Sequence, residues 1–190
     1  MSARTDPRVT RTVHALEQAI LELAARQPVS RITVAALAER AGVTRATFYN
    51  RYDSPLDLLT QVLYADLERS HLHEDRLRAE GGYSGAELVR VATADVADHV
   101  ERFEDVYRHA LADPADRGVY DALVRHFADY SVAFMARAAH PGMPSANHKV
   151  MANFVAHGFA GAIEAWLADE NVTKEDLVDA TVACAPAWWS

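Results

Sequence analysis

Between Thr44 and Arg51 the chain reads Thr-Arg-Ala-Thr-Phe-Tyr-Asn-Arg, which gathers side chains suited to nucleic acid. Arg45 can donate to N7 and O6 of guanine, Asn50 can address adenine, and Tyr49 brings a ring and a hydroxyl. Thr33, Thr44 and Thr47 suit phosphate oxygens, helped by the helix N-termini expected behind Thr33 and Thr44. Other chemistries are poorly served by this sequence. Nine His are present, but the His71-x-His73 spacing splays its two side chains apart on a helix. No Gly-x-Ser-x-Gly elbow accompanies the Ser, His and Asp residues. No metal, no cofactor and no enzymatic activity are expected.

These side chains need elements to hold them. Val9, Val13, Leu16, Ile20 and Leu23 recur at steps of three and four and predict a first helix of about five turns. Pro28 and Ser30 break it. Thr33 stands as an N-cap before a short second helix with Val34, Leu37, Ala38 and Ala41 on one face, and Gly42 ends that helix as a left-handed glycine would. Thr44 then caps a third helix reaching about Tyr52, with Val43, Phe48 and Tyr52 turned inward. Two short helices around a Gly turn, packed under a longer one, make a helix-turn-helix.

Beyond it, Ser54-Pro55-Leu56-Asp57 opens a fourth helix that could run to Glu80, and Ser84-Gly85-Ala86-Glu87 is a capping box for another. Asp113-Pro114-Ala115-Asp116 repeats the cap, Pro and acid pattern before a helix expected to end near His140-Pro141-Gly142. Two more are expected over about 145–168 and 174–188. No alternating β run occurs, so the fold class is all-α, with about nine helices.

Length and charge constrain the function. A chain of 190 residues buries about 70% of its unfolded surface on folding, enough for a core without staples. The single Cys184 permits no internal disulfide, no apolar run approaches the roughly 20 residues of a membrane span, and Met1 to Arg11 lack an apolar signal core. A soluble, cytoplasmic protein with no membrane partner is expected. The net charge of -8 argues against a polyanionic partner until it is divided along the chain. Residues 1–52 hold eight Arg against four acids, a net of +4, while the remainder holds 11 basic and 23 acidic residues, a net of -12. A basic head on an acidic body fits a protein that touches a polyanion with one end only.

The run from Ile32 to Tyr52 (Ile-Thr-Val-Ala-Ala-Leu-Ala-Glu-Arg-Ala-Gly-Val-Thr-Arg-Ala-Thr-Phe-Tyr-Asn-Arg-Tyr), followed by Leu56-Asp57-Leu58-Leu59, resembles the TetR family of bacterial transcriptional regulators. The resemblance covers about 60 residues. It implies a helix-turn-helix DNA-binding domain over 1–53 and a helical ligand-binding and dimerisation domain over 54–190. It further implies a homodimer that represses from a pseudopalindromic operator and is released by a small-molecule inducer. DNA contacts are implied at Thr33, Thr44, Arg45, Ala46, Thr47, Tyr49, Asn50 and Arg51, and Arg4, Arg8 and Arg11 form a basic arm able to reach an adjacent groove. The family often has a basic residue where this chain has Asp53, and a Lys where it has Pro55. Those two departures and the acidic total motivate an alternative, a helical ligand-binding or protein-interaction module that no longer binds DNA.

Phe103, Tyr107, His109, Phe127, Tyr130 and Phe134 fall in the central helices and are candidates for lining an apolar pocket. Gly158, Gly161, Ala162 and Ala165 leave one helix face with almost no side-chain bulk, which permits another helix to approach closely. Glycine in a helix interior costs about 1 kcal/mol relative to Ala, so two of them there suggest a packing reason. With Trp166 and with Leu177 and Thr181 of the last helix, this face is expected to form a four-helix dimer interface.

Overall fold

The computed structural model describes residues 7–137 and 142–189. Arg4 of the expected basic arm, the side chain of His71, and His140 and Pro141 lie outside the described residues. Among those described, nine α-helices and no strand occur: α1 (Pro7–Ala24), α2 (Val34–Arg40), α3 (Arg45–Tyr49), α4 (Pro55–Glu80), α5 (Gly85–Arg102), α6 (Glu104–Ala112), α7 (Arg117–Arg137), α8 (His148–Ala168) and α9 (Lys174–Cys184). Short 3-10 turns stand at Val29–Arg31, Pro114–Asp116 and Ala187–Trp189. The all-α expectation therefore holds. No described helix is long and apolar enough to cross a membrane. Two departures from the expected elements are local. The stretch after Ser84 divides at Phe103 into α5 and α6, and α9 stops at Cys184, its last residues turning into a 3-10 turn beyond Pro186. Pro186 removes a helical donor there.

The helices divide into two compact units. One takes in residues up to Leu63 together with Phe103–Val119. The expected head of 1–53 is thus joined by the start of α4, by α6 and by the first residues of α7. Its core is built from Leu16 and Ile20 of α1, Leu37 of α2, Phe48 of α3 and Leu58, Leu59 and Leu63 of α4, all essentially without exposure. Val106, Tyr107 and Ala110 of α6 are buried too, and α6 packs on α1.

A single carboxylate orders the turn between α1 and α2. Asp116, 1% exposed, accepts hydrogen bonds from the backbone N–H groups of Val29 (2.6 Å) and Ser30 (2.8 Å). Those amides open the Val29–Arg31 turn and have no helical partner of their own. The sequence pattern marks Asp116 only as an acid in the first turn of a helix. Two residues on, a Cβ at Gly118 would stand 2.7 Å from the Leu56 side chain, so the start of α7 lies close against α4.

The second unit comprises Tyr64–Arg102 and Tyr120–Ser190. Here α9 packs on α5 and α8. Ion pairs flank the α5–α9 seam: Arg90 reaches Glu175 (3.0 Å) and Asp179 (2.6 Å), and Lys174 reaches Asp98 and Glu101. Exposed pairs of this kind contribute little each, so the seam rests on buried Val89, Val96, Leu177 and Val178. Between α4 and α5 lies a charged cleft. In it the buried Asp66 accepts from His99 Nδ1 (2.7 Å) and Arg102 (2.7 Å), and also pairs with Arg69. Burial alone would raise the Asp66 carboxyl, but the hydrogen bonds from His99 and Arg69 and the charges of His99 and Arg102 hold it below the usual carboxylate range. Burial keeps the His99 imidazole below its ordinary value against the opposing pull of Asp66.

Two outcomes are expected from this architecture. Asp116→Ala strands two buried amides, and at about 1–3 kcal/mol per unsatisfied group urea denaturation should show a loss of about 2–5 kcal/mol. His99 is held neutral in the fold, so its contribution is complete above the ordinary imidazole pKa and declines once the pH falls below about 6.5, where the unfolded chain binds the extra proton more readily. Asp66, with its pKa held down, contributes above about pH 4 and loses that contribution as the pH drops through its folded value. The urea midpoint should therefore be lower at pH 5.5 than at pH 7.5, and His99→Gln should flatten that difference.

Candidate functional site

The helix-turn-helix is set by its caps. Thr33 accepts from the Ala36 N–H (3.2 Å) at the start of α2, and Thr44 accepts from the Thr47 N–H (3.1 Å) at the start of α3. Between the helices Gly42 sits at φ 66, with its N–H on Glu39 O (3.1 Å) and the Val43 N–H on Ala38 O (2.9 Å). This six-to-one and five-to-two bond pair closes α2 and turns the chain left-handed, which glycine does without a Cβ penalty. Phe48 anchors α3, fully buried and edge-on to Tyr49 at 5.5 Å.

With Phe48 inward, the rest of α3 faces out. Arg45, Ala46, Tyr49, Asn50 and Arg51 are exposed, Tyr49 to 59%, and Thr47 is half-buried. Neither Arg45 nor Arg51 forms an ion pair among the described residues. By contrast, Arg40 on α2 is paired with Glu22 of α1. The fold thus leaves the cations of the second helix unneutralised while tying down one on the first. Hydroxyls of Thr33 and Thr44 serve as caps, and Thr44 also shares a hydrogen with Thr47 (2.9 Å). Of the expected basic arm, Arg8 and Arg11 are exposed on the first turns of α1.

A second candidate lies wholly in the other unit. An almost entirely apolar cavity of about 50 Å³ is walled by α4, α5, α7, α8, α9 and the C-terminal 3-10 turn. Val89, Val96, Phe127, Phe159, Ile163, Leu177 and Trp189 supply most of its surface. Phe159 lies 5.8 Å from Phe127 and 6.3 Å from Trp189, ring to ring. Its polar corner is Glu74, 2% exposed, which accepts from Arg78 (2.7 Å) and from the Tyr130 hydroxyl. Burial, then the charge of Glu74 and the hydrogen bond to it, drive the Tyr130 phenol far above its ordinary pKa, so it keeps its proton.

Of the aromatic candidates, Phe127 and Tyr130 line this cavity. Phe134 stands beside it, stacked on Trp189 at 5.3 Å in a small core with Met135 and Ala152. Phe103, Tyr107 and His109 do not belong with them. They lie in the other unit, where Tyr107 is core. The cavity residues that sequence reasoning missed are Glu74, Val89, Thr93, Val96 and Trp189. An isolated Glu amid a long polar helix carries no signal of burial, and Trp189 enters only because the chain turns after Pro186.

The expected interface also divides. On α8, Val150 (68% exposed), Phe154 (83%), Gly158, Gly161 and Ala165 follow at steps of four and three along one face, and no atom lies within 4 Å of a Cβ built at Gly158 or Gly161. Ala162 and Trp166 are half-buried at its edge. The opposite face, Ala152, Ala156, Ala160, Ile163 and Leu167, is buried. Leu177 and Thr181 correct the expectation, because they point into their own unit. Leu177 is 3% exposed, and the Thr181 hydroxyl meets Thr93 on α5 (3.2 Å) and the carbonyls of Leu177 and Val178. Apolar spacing on α9 does not distinguish packing on α5 from packing on another chain.

Comparison with known proteins decides the identity of the first site. Residues 17–62, which hold the whole turn and both short helices, match the family model described as bacterial regulatory proteins, tetR family. The helix-turn-helix domain of this chain belongs to the TetR family. No curated protein matches the chain. Among solved structures, a TetR-family transcriptional regulator from Syntrophomonas wolfei superposes with a TM-score of 0.71 at 10% identity, covering 92% of this chain and 93% of that one. A TetR regulator from Rhodococcus sp. RHA1 gives 0.54 at 18%, covering 90% and 91%. RolR in complex with resorcinol gives 0.65 at 16%, covering 94% and 89%. At these identities the likeness is one of fold, and it extends the TetR-like architecture along nearly the whole chain. Among the described residues no group of His, Cys, Asp and Glu is placed to hold a metal ion.

Proposed function

We propose that this chain is a ligand-responsive, DNA-binding transcriptional regulator that acts as a homodimeric repressor. The observation that carries the reading is the exposed, unpaired set Arg45, Tyr49, Asn50 and Arg51 on the second helix of a TetR-family helix-turn-helix. A helix so presented fits the major groove, about 12 Å wide, where Arg45 and Asn50 would read base edges and Thr33, Thr44, Thr47 and the backbone of Ala46 would meet phosphates. The exposed α8 face offers the dimer contact, with Phe154 as its anchor and Gly158 and Gly161 allowing close approach. Two such subunits would read half-sites about one helical turn apart, roughly 34–36 Å.

The cavity beside Glu74 is the proposed inducer site, and RolR, solved with resorcinol bound, supports a ligand-responsive fold of this kind. α4 contributes residues up to Leu63 to the DNA-binding unit and Glu74 to the cavity, so one helix carries both tasks. An inducer releases DNA only by binding the non-binding geometry more tightly than the binding one.

Selection of duplexes from a random pool by the purified protein should enrich a pseudopalindrome with half-sites about one turn apart. Affinity for it should fall steeply with salt as counterions are released. Arg45→Ala and Tyr49→Ala should weaken it by about 1–3 kcal/mol each while helicity is retained. No enrichment even at low salt would favour a helical module that does not engage DNA. Phe154→Glu, at a position 83% exposed and so free of the subunit's own core, should convert the dimer to a monomer in sedimentation without loss of helical signal.

A further inference from the structure

The cavity beside Glu74 is specific about charge and hydrogen bonding as well as shape, and the following rests on its proposed role as the inducer site. Glu74 is buried, and its two oxygens are engaged differently: Oε1 accepts from Arg78 at 2.7 Å, and Oε2 accepts from the Tyr130 hydroxyl. The Arg78 guanidinium neutralises the carboxylate from behind and lies 4.6 Å over the Phe134 ring, outside the cavity lining. A cationic ligand would therefore leave an unbalanced positive charge in an apolar enclosure, and an anionic one would face a carboxylate already in place. Both are costly where no water can screen them.

Hydrogen-bond capacity is one-sided as well. The strong donors at this corner, Arg78 Nη2 and the Tyr130 hydroxyl, both serve Glu74. Thr181 directs its hydroxyl towards Thr93 and the backbone carbonyls of its own helix. Arg78 Nε is buried without a partner, but Arg78 does not line the cavity. A carboxylate offers about four lone-pair positions, of which two are taken. The wall therefore has acceptor capacity to spare. Around it, Phe127, Phe159 and Trp189 set three aromatic walls, and about 50 Å³ of open space, against the ~10–15 Å³ that one water needs, admits one small ring.

We infer that the cavity takes a small, uncharged, single-ring aromatic molecule carrying a hydroxyl, which donates its hydrogen to the Glu74 carboxylate while the ring packs against Phe127, Phe159 and Trp189. Specificity then lies in the donor. A ring of the same size that can only accept leaves the lone pairs of Glu74 facing an acceptor, and a plain hydrocarbon leaves them facing nothing.

The test uses the intact protein and four probes of similar size: phenol, anisole, benzoate and benzylammonium. Binding is followed by quenching of tryptophan fluorescence, to which Trp189 in the cavity wall is sensitive, and by calorimetry. Phenol is expected to bind at least tenfold more tightly than anisole, with both charged probes weaker than phenol. Glu74→Gln, which turns part of the acceptor into a donor, should erase the preference of phenol over anisole. Ala92→Leu, which fills the cavity from α5, should abolish phenol binding with the helical signal retained. Tightest binding by benzoate or benzylammonium, or equal binding of phenol and anisole, overturns the ligand class and leaves the cavity as an inducer site. Phenol binding that survives Ala92→Leu, or no binding of any probe at millimolar concentration, overturns both. The wild-type series decides the chemistry even where Glu74→Gln fails to fold.

Discussion

A buried backbone amide must find an acceptor, and in this fold that requirement shapes the DNA-binding unit. The turn between α1 and α2 presents the N–H groups of Val29 and Ser30 inward, and the acceptor is Asp116, 87 residues away from Val29 in the chain. Because the carboxylate is buried, it must be matched, and the match brings the α6–α7 junction onto the turn that leads into the helix-turn-helix. α6 follows and covers α1 with Val106, Tyr107 and Ala110. The recognition helix, only five residues long, has little stability of its own. Its orientation is inherited from Phe48 and from the layers beneath it.

The two sites ask opposite things of their polar groups. On α3 the value of Arg45 and Arg51 lies in having no partner, so that their charge is available to a polyanion. In the cavity the value of Glu74 lies in being nearly satisfied, so that one further donor completes it and charge is refused. α4 takes part in both environments, which accounts for its lack of a single apolar stripe: its first turns bury Leu58, Leu59 and Leu63, and its later ones bury Asp66, Leu67 and Glu74.

Local chemistry was legible in the sequence, and distant chemistry was not. The Thr33 and Thr44 caps, Gly42, the α4 start after Ser54 and the Ser84–Glu87 box all appear where residue type and spacing place them, because each is settled within four residues. The small-residue face of α8 was readable for the same reason. What escaped was long-range: the α5–α6 break at Phe103, the inward turn of Leu177 and Thr181, the burial of Glu74, and the assignment of Phe103, Tyr107 and His109 to a different core from Phe127 and Tyr130. An aromatic residue at helical spacing shows that a helix has an inner face, without showing which neighbour it meets.

The composition of the DNA-binding unit from two separated stretches also governs how the chain can fold. Residues up to Leu63 form most of its helices, yet Asp116, Tyr107 and Val106 arrive only after the whole of α5. Contacts spanning so many residues are slow to form, since loop closure must precede them. During synthesis the helix-turn-helix emerges first and stays incomplete until residue 116 has left the ribosome. A nascent or truncated chain ending at Leu63 would carry the recognition residues on an unfinished core, so the domain that meets DNA becomes competent only when much of the domain proposed to sense the ligand has been made.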